Sequence, residues 1–167
     1  MKINKKGQFQ ISFGMIFSMF LIVIFLVVAF VVIKHFLDLG KEVEERQLVK
    51  ELNDEVRRLS ESTTSATNKV FTGDLGDTKV TYVCFFNSQK TQKGAFVAQY
   101  EDFTWQEPDK ETNFYFYPRE KSYTDSAVIN YVNMTEFDSN PYCKVVKEGK
   151  VEFRLSKDIG EFLVRIS

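Results

Sequence analysis

The sequence predicts an α+β protein: one long N-terminal helix, first transmembrane and then amphipathic, followed by an antiparallel β-sheet or small β-sandwich head. Three observations predict it. Residues 11–33 carry no charged side chain. The apolar residues that follow recur at helical spacing through Lys- and Glu-rich sequence. Beyond residue 69 the chain changes to short runs rich in β-branched and aromatic residues, the composition of strands.

In residues 11–33 only Ser12, Gly14 and Ser18 interrupt a run of Ile, Val, Leu, Phe, Met and Ala. A helix of this length reaches about 34 Å, enough to cross a hydrocarbon core of about 30 Å. Each apolar residue near the centre favours insertion by roughly 0.3 to 0.6 kcal/mol, and no charge opposes the sum. Read instead as a buried core helix, the segment would need more surrounding protein than the rest of the chain supplies. Lys2, Lys5 and Lys6 precede the run, whereas the far flank mixes Lys34, Lys41 and Arg46 with Asp38, Glu42, Glu44 and Glu45. That favours a cytoplasmic N-terminus and an extracytoplasmic remainder in a single-pass protein of the cell membrane. A secretory leader fits less well, because its apolar region is about 7 to 15 residues long and ends at small residues.

The expected layout is a basic tip or leader at 1–10, the transmembrane helix at 11–33, an amphipathic stalk helix at 34–60, a linker at 61–69 and a β-rich domain at 70–167. In the stalk, Val49, Leu52, Val56 and Leu59 form a 3-4-3 stripe. Lys41 with Glu45, Glu42 with Arg46, and Asp54 with Arg58 are spaced to pair one turn apart. Gly40 marks a place for a bend, since an interior Gly costs about 1 kcal/mol relative to Ala. The stripe has two readings: packing on the chain's own head, or packing on another copy or a partner helix. Glu42 and Glu45 fall where the stripe would continue upstream, which favours the head over a sustained coiled coil.

Strands are expected at 79–86, 95–100, 113–117, 127–132, 143–147, 150–156 and 162–166, the last three as a meander turning at Glu148-Gly149. Val151, Phe153 and Leu155 alternate with Glu152, Arg154 and Ser156, so this strand buries one face. Phe114-Tyr115-Phe116-Tyr117 places rings on both faces of a strand; either both faces are covered or one meets a partner. Cys84 and Cys143 are the only cysteines, open to two readings, a disulfide or two buried thiols. Paired, they would close a loop of about 60 residues, worth roughly 4 kcal/mol. Asn133-Met134-Thr135 is an N-glycosylation triplet, compatible with an outward head.

Several function classes drop out. With 22 basic against 23 acidic residues, net −1 and no cationic cluster, nucleic acid is not an expected partner. His35 is the only histidine, so no Ser-His or Cys-His pair and no His-containing metal site can be assembled. The two cysteines make neither a zinc knuckle nor a Cys-x-x-Cys pair. Gly73-Asp74-Leu75-Gly76-Asp77 lacks EF-hand and P-loop spacing and reads as a turn. Glu101, Asp102, Glu107, Asp109 and Glu111 around Trp105 read as a solvated loop. The expectation is a protein that is not an enzyme, with no catalytic residue, metal or cofactor.

Lys5-Lys6-Gly7-Gln8 ahead of the apolar helix resembles the class III, or prepilin-type, signal peptide of archaeal type IV pilin-like proteins. The resemblance implies processing between Gly7 and Gln8, with Lys6 as the basic residue before the cut. Gln10-Ile11-Ser12-Phe13 matches the start of the family's Gln-x-Ser-x-Glu pattern, and Gly14 stands where that pattern has Glu. The plan of long helix and β-rich head is also similar to membrane-anchored stator-like proteins of the archaeal motility filament. What the resemblance implies is a cell-surface protein with a structural, assembly or adhesion role. Its partners would be the lipid bilayer and homo-oligomeric, pilin-like or envelope subunits. The alternative is an anchored extracytoplasmic sensor or ligand-binding module that forms no filaments.

Overall fold

The computed structural model describes residues 13–97, 112–124 and 126–167. The chain forms two compact units, Met1–Asp38 and Leu39–Ser167. A single helix, α1 (Phe13–Glu61), contributes to both. Helical conformation continues through Gly40, the place marked for a bend, and nothing lies within 4 Å of where a Cβ would sit there.

In the first unit α1 is long and apolar enough to cross a membrane, and none of its apolar window is buried by the protein. Phe25 and Phe30 are 69% and 71% exposed. The polar interruption at Ser18 is dealt with locally, because its hydroxyl donates to the Gly14 carbonyl one turn back at 2.8 Å.

The second unit contains the other half of α1 and seven strands: β1 (Ala66–Asp74), β2 (Tyr82–Phe85), β3 (Phe114–Tyr117), β4 (Ser126–Ala127), β5 (Tyr142–Val145), β6 (Lys150–Lys157) and β7 (Arg165–Ile166). They form a three-stranded sheet, β1-β6-β7, and a four-stranded sheet, β4-β3-β2-β5. Every ladder between these strands is antiparallel. One core joins the helix to both sheets: Leu48, Leu52, Val56 and Leu59 pack with Val83, Phe85, Phe114 and Phe116 and with Val151, Phe153 and Leu155. The rings of Phe85 and Phe153 meet across the sheets at 5.7 Å. The stalk stripe therefore packs on its own head. Each fully buried Leu or Val contributes about 1.5 to 3 kcal/mol, enough to hold the helix there.

The structure redraws several expected elements. The segment expected as linker delivers the start of β1 at Ala66, with an irregularity between Ala66 and Lys69 and Asn68 at φ 53°. The meander opens. Lys147 and Lys150 exchange hydrogen bonds of 2.8 and 2.9 Å around Glu148 and Gly149, both at positive φ, which makes the anticipated tight turn. The strands then diverge, β5 to β2 and β6 to β1. The strand expected at 127–132 stops after Ala127, because the Asn113 side chain bonds both Ile129 N–H and Ile129 C=O at 2.8 Å and replaces the ladder. Residues 95–97 form no strand after Gly94 turns the chain at φ 104°; 98–100 and the Trp105 region lie outside the described residues.

Of the anticipated helix pairs, Glu42 meets Arg46 at 2.9 Å. Asp54 takes Arg57 at 3.1 Å, while Arg58 takes Glu55 at 2.8 Å. Lys41 lies over the Tyr123 ring, 5.8 Å from its centroid, and Glu45 is engaged elsewhere.

Candidate functional site

The chain's chemistry is concentrated in the exposed apolar part of α1 and in the polar and covalent fastenings of the second unit. Of the small residues singled out in the apolar run, Gly14 and Ser18 lie on α1 and bond to each other. Ser12 and the leader positions Lys6, Gly7 and Gln8 lie outside the described residues.

Glu45 is the one acid that α1 buries completely. Its Oε2 accepts hydrogen bonds from Ser122 Oγ at 2.9 Å, Tyr123 N at 2.9 Å and Thr124 N at 2.6 Å. The carboxylate thus fastens the loop after β3 to the helix. Its Oε1 is buried without a partner. Desolvation by burial raises the Glu45 pKa above 4.5, against the lowering effect of the Thr124, Ser122 and Tyr123 donors.

A second fastening closes the far end of α1. A helix leaves its last carbonyls unpaired. Here the buried Lys157 ammonium, at the end of β6, donates to the carbonyls of Leu59, Ser60 and Ser62 at 3.0, 2.7 and 2.6 Å. A cation at a helix C-terminus also suits the helix dipole. Close by in sequence, Arg165 on β7 gathers Asp158, Glu161 (3.0 Å) and Glu136 (3.6 Å), which ties the β6–β7 turn to the 133–136 turn. The sequence pattern assigned Glu45 to a surface pair with Lys41, and it marked neither Lys157 nor Arg165. The only signal was a charge set within an apolar pattern, as with Glu45 upstream of the stripe and Lys157 after Val151, Phe153 and Leu155.

Cys84 and Cys143 form a disulfide. They are directly opposite on β2 and β5, with Cα atoms 4.0 Å apart. Both belong to a second apolar cluster on the other face of the four-stranded sheet, with Phe86, Tyr115, Tyr82 and Tyr117. Tyr82 also meets Phe96 edge-on at 4.8 Å. The four-ring run on β3 is accordingly split: Phe114 and Phe116 enter the main core, and Tyr115 is buried beside the disulfide. Burial pushes the Tyr115 hydroxyl up to about 12, with the Arg119 charge opposing.

Asn133 lies in a turn. Its Oδ1 accepts from Thr135 N at 3.1 Å and Thr135 Oγ1 at 2.6 Å, and its Nδ2 donates to Glu136 Oε1 at 2.9 Å. His35 is exposed on α1. Among the described residues no three His, Cys, Asp or Glu side chains are grouped to hold a metal ion. No protein-family model matches the chain, and comparison with curated proteins and with solved structures gives no match.

Proposed function

We propose that the chain is a single-pass, membrane-anchored, pilin-like surface protein whose role is structural, in assembly or adhesion, and not catalytic. The observation that carries the reading is the unburied apolar surface of α1 in the first unit, where no residue of the apolar window is covered by the protein. Apolar patches beyond a few hundred Å² are rare on soluble monomers and mark contact with a membrane or another protein. In this reading the bilayer covers residues 11–33, the N-terminus is cytoplasmic and the head is extracytoplasmic. A disulfide in the head agrees with an oxidising exterior. The single helix that is apolar first and core-forming second agrees with the pilin plan.

Intact-mass measurement of the protein from native membranes tests the leader. A chain beginning at Gln8 is expected, and one beginning at Met1 or Lys2 removes the prepilin reading. Protease treatment of whole cells tests the topology: the head is removed while the tip stays protected. The sensor or binding-module reading draws on an open groove of ≈ 470 Å³ lined by Val70, Tyr142, Lys144, Glu152, Arg154 and Ser167. A monomeric membrane protein whose head retains a glycan or peptide would favour it.

A further inference from the structure

We infer that Asn133 is an N-glycosylation site, its side-chain amide accepting a glycan from a lipid-linked oligosaccharide phosphate. The inference rests on the extracytoplasmic placement of the head. Three features of the chain converge on this residue.

First, Asn133-Met134-Thr135 is the only Asn-x-Ser/Thr triplet in the sequence, and its middle residue is not Pro. Second, the triplet occupies an anchored turn at the surface. Asn133 N–H donates to the Val164 carbonyl at 2.8 Å, Met134 packs on the main core, and Thr135 and Glu136 are exposed. Third, the Thr135 hydroxyl and backbone N–H both hold Asn133 Oδ1, which fixes the carboxamide by its oxygen end. The nitrogen end donates to Oε1 of Glu136, a side chain 47% exposed whose other oxygen faces Arg165. Asn87 gives the contrast: Gln89 N closes the same kind of turn onto Asn87 Oδ1 at 2.9 Å, but no hydroxyl stands at the second position.

A carboxamide nitrogen is a poor nucleophile, because its lone pair is delocalised into the carbonyl. With the oxygen held by Thr135, the nitrogen is the end that a transferase must draw from Glu136, twist and engage. In the transfer, the bond between the anomeric carbon and the lipid-linked phosphate oxygen breaks. A bond from that carbon to Asn133 Nδ2 forms, Nδ2 gives one proton to a base of the transferase, and the lipid phosphate leaves as an anion. Nothing is oxidised or reduced.

The test is mass spectrometry of the Asn133 peptide from full-length protein in native membranes, with Thr135→Ala and Thr135→Ser variants alongside. The expected result is a glycan mass on Asn133, lost in Thr135→Ala and retained in Thr135→Ser, with the Cys84–Cys143 disulfide intact in all three. An unmodified Asn133 on a head that protease removes from intact cells overturns the site and leaves the anchor reading standing. An unmodified Asn133 on a protease-protected head overturns the orientation and the site together. A glycan that persists on Asn133 in Thr135→Ala upholds the site and overturns the role given to the Thr135 hydroxyl.

Discussion

The two halves of α1 share one backbone conformation and nothing else. In the first unit no apolar side chain of the helix is buried, whereas in the second Glu45, Leu48, Leu52, Val56, Leu59 and Ser60 all are. The first half is apolar on every side; the second is apolar on one stripe and charged elsewhere. A helix apolar all round needs an apolar environment all round, and a striped helix needs one packed face. The difference teaches that helical propensity decides little here. The distribution of apolar side chains around the axis decides which surroundings each half requires.

The sharpest way to separate the halves is to act on the head alone. Replacing Cys84 and Cys143 together by Ala should lower head stability by about 4 kcal/mol in the chain-entropy account, given their separation of 59 residues. Denaturant unfolding of the detergent-solubilised protein measures this. Retention in the membrane fraction should not change, and release of the variant from membranes would contradict the division of labour.

A matched pair of substitutions on the helix itself comes next. Leu52→Ala removes a side chain with 0% exposure from the core and should cost about 2 to 5 kcal/mol. Leu26→Ala removes a side chain that is 65% exposed and should leave head unfolding where it was. Equal effects at the two positions would sink the comparison. The reciprocal change is Ile24→Arg, near the middle of the apolar run. It should oppose insertion by about 2.5 to 3.5 kcal/mol. Carbonate extraction of membranes reads it, with head stability unaffected.

Much of this contrast was legible in the residues. The uncharged run gave the helix long and apolar enough to cross a membrane, and Leu52, Val56 and Leu59 gave the packed face, because both signals are local. The alternation of Val151, Phe153 and Leu155 gave β6 for the same reason. What failed depended on distant partners. β1 was hidden by Asn68 and Gly73, and its pairing with β6 is set by residues about 80 positions away, Phe71 facing Phe153 among them. β4 was shortened by one side chain, Asn113, acting on Ile129. Glu45 looked like the end of the apolar stripe. Its burial makes sense only once residues 122–124 bring three donors to it, and no window of sequence around Glu45 contains them.

Glu45 also supplies the finest test, because a second acid on the same helix behaves oppositely. Glu55 is desolvated too, but Arg58 and Lys69 outweigh this and hold its pKa below 4.5. Glu45 has no such cation, and desolvation leaves its pKa above 4.5 despite the three donors. The signs follow from proton linkage. Glu55 contributes stability that is present above its unfolded value and lost as the pH falls through its lowered one. The native state holds a proton on Glu45 to higher pH than the unfolded chain does, so Glu45 makes the head less stable as the pH rises from 4.5 through its raised value. Glu45→Gln keeps an acceptor for Ser122, Tyr123 and Thr124 and removes the charge. Its unfolding free energy relative to the parent should therefore rise across that window and level off above it. Glu45→Ala, which strands those donors, should instead cost about 1 to 3 kcal/mol near neutral pH. If Glu45→Gln followed the parent's pH profile in parallel, the buried carboxylate would not be titrating as its surroundings require.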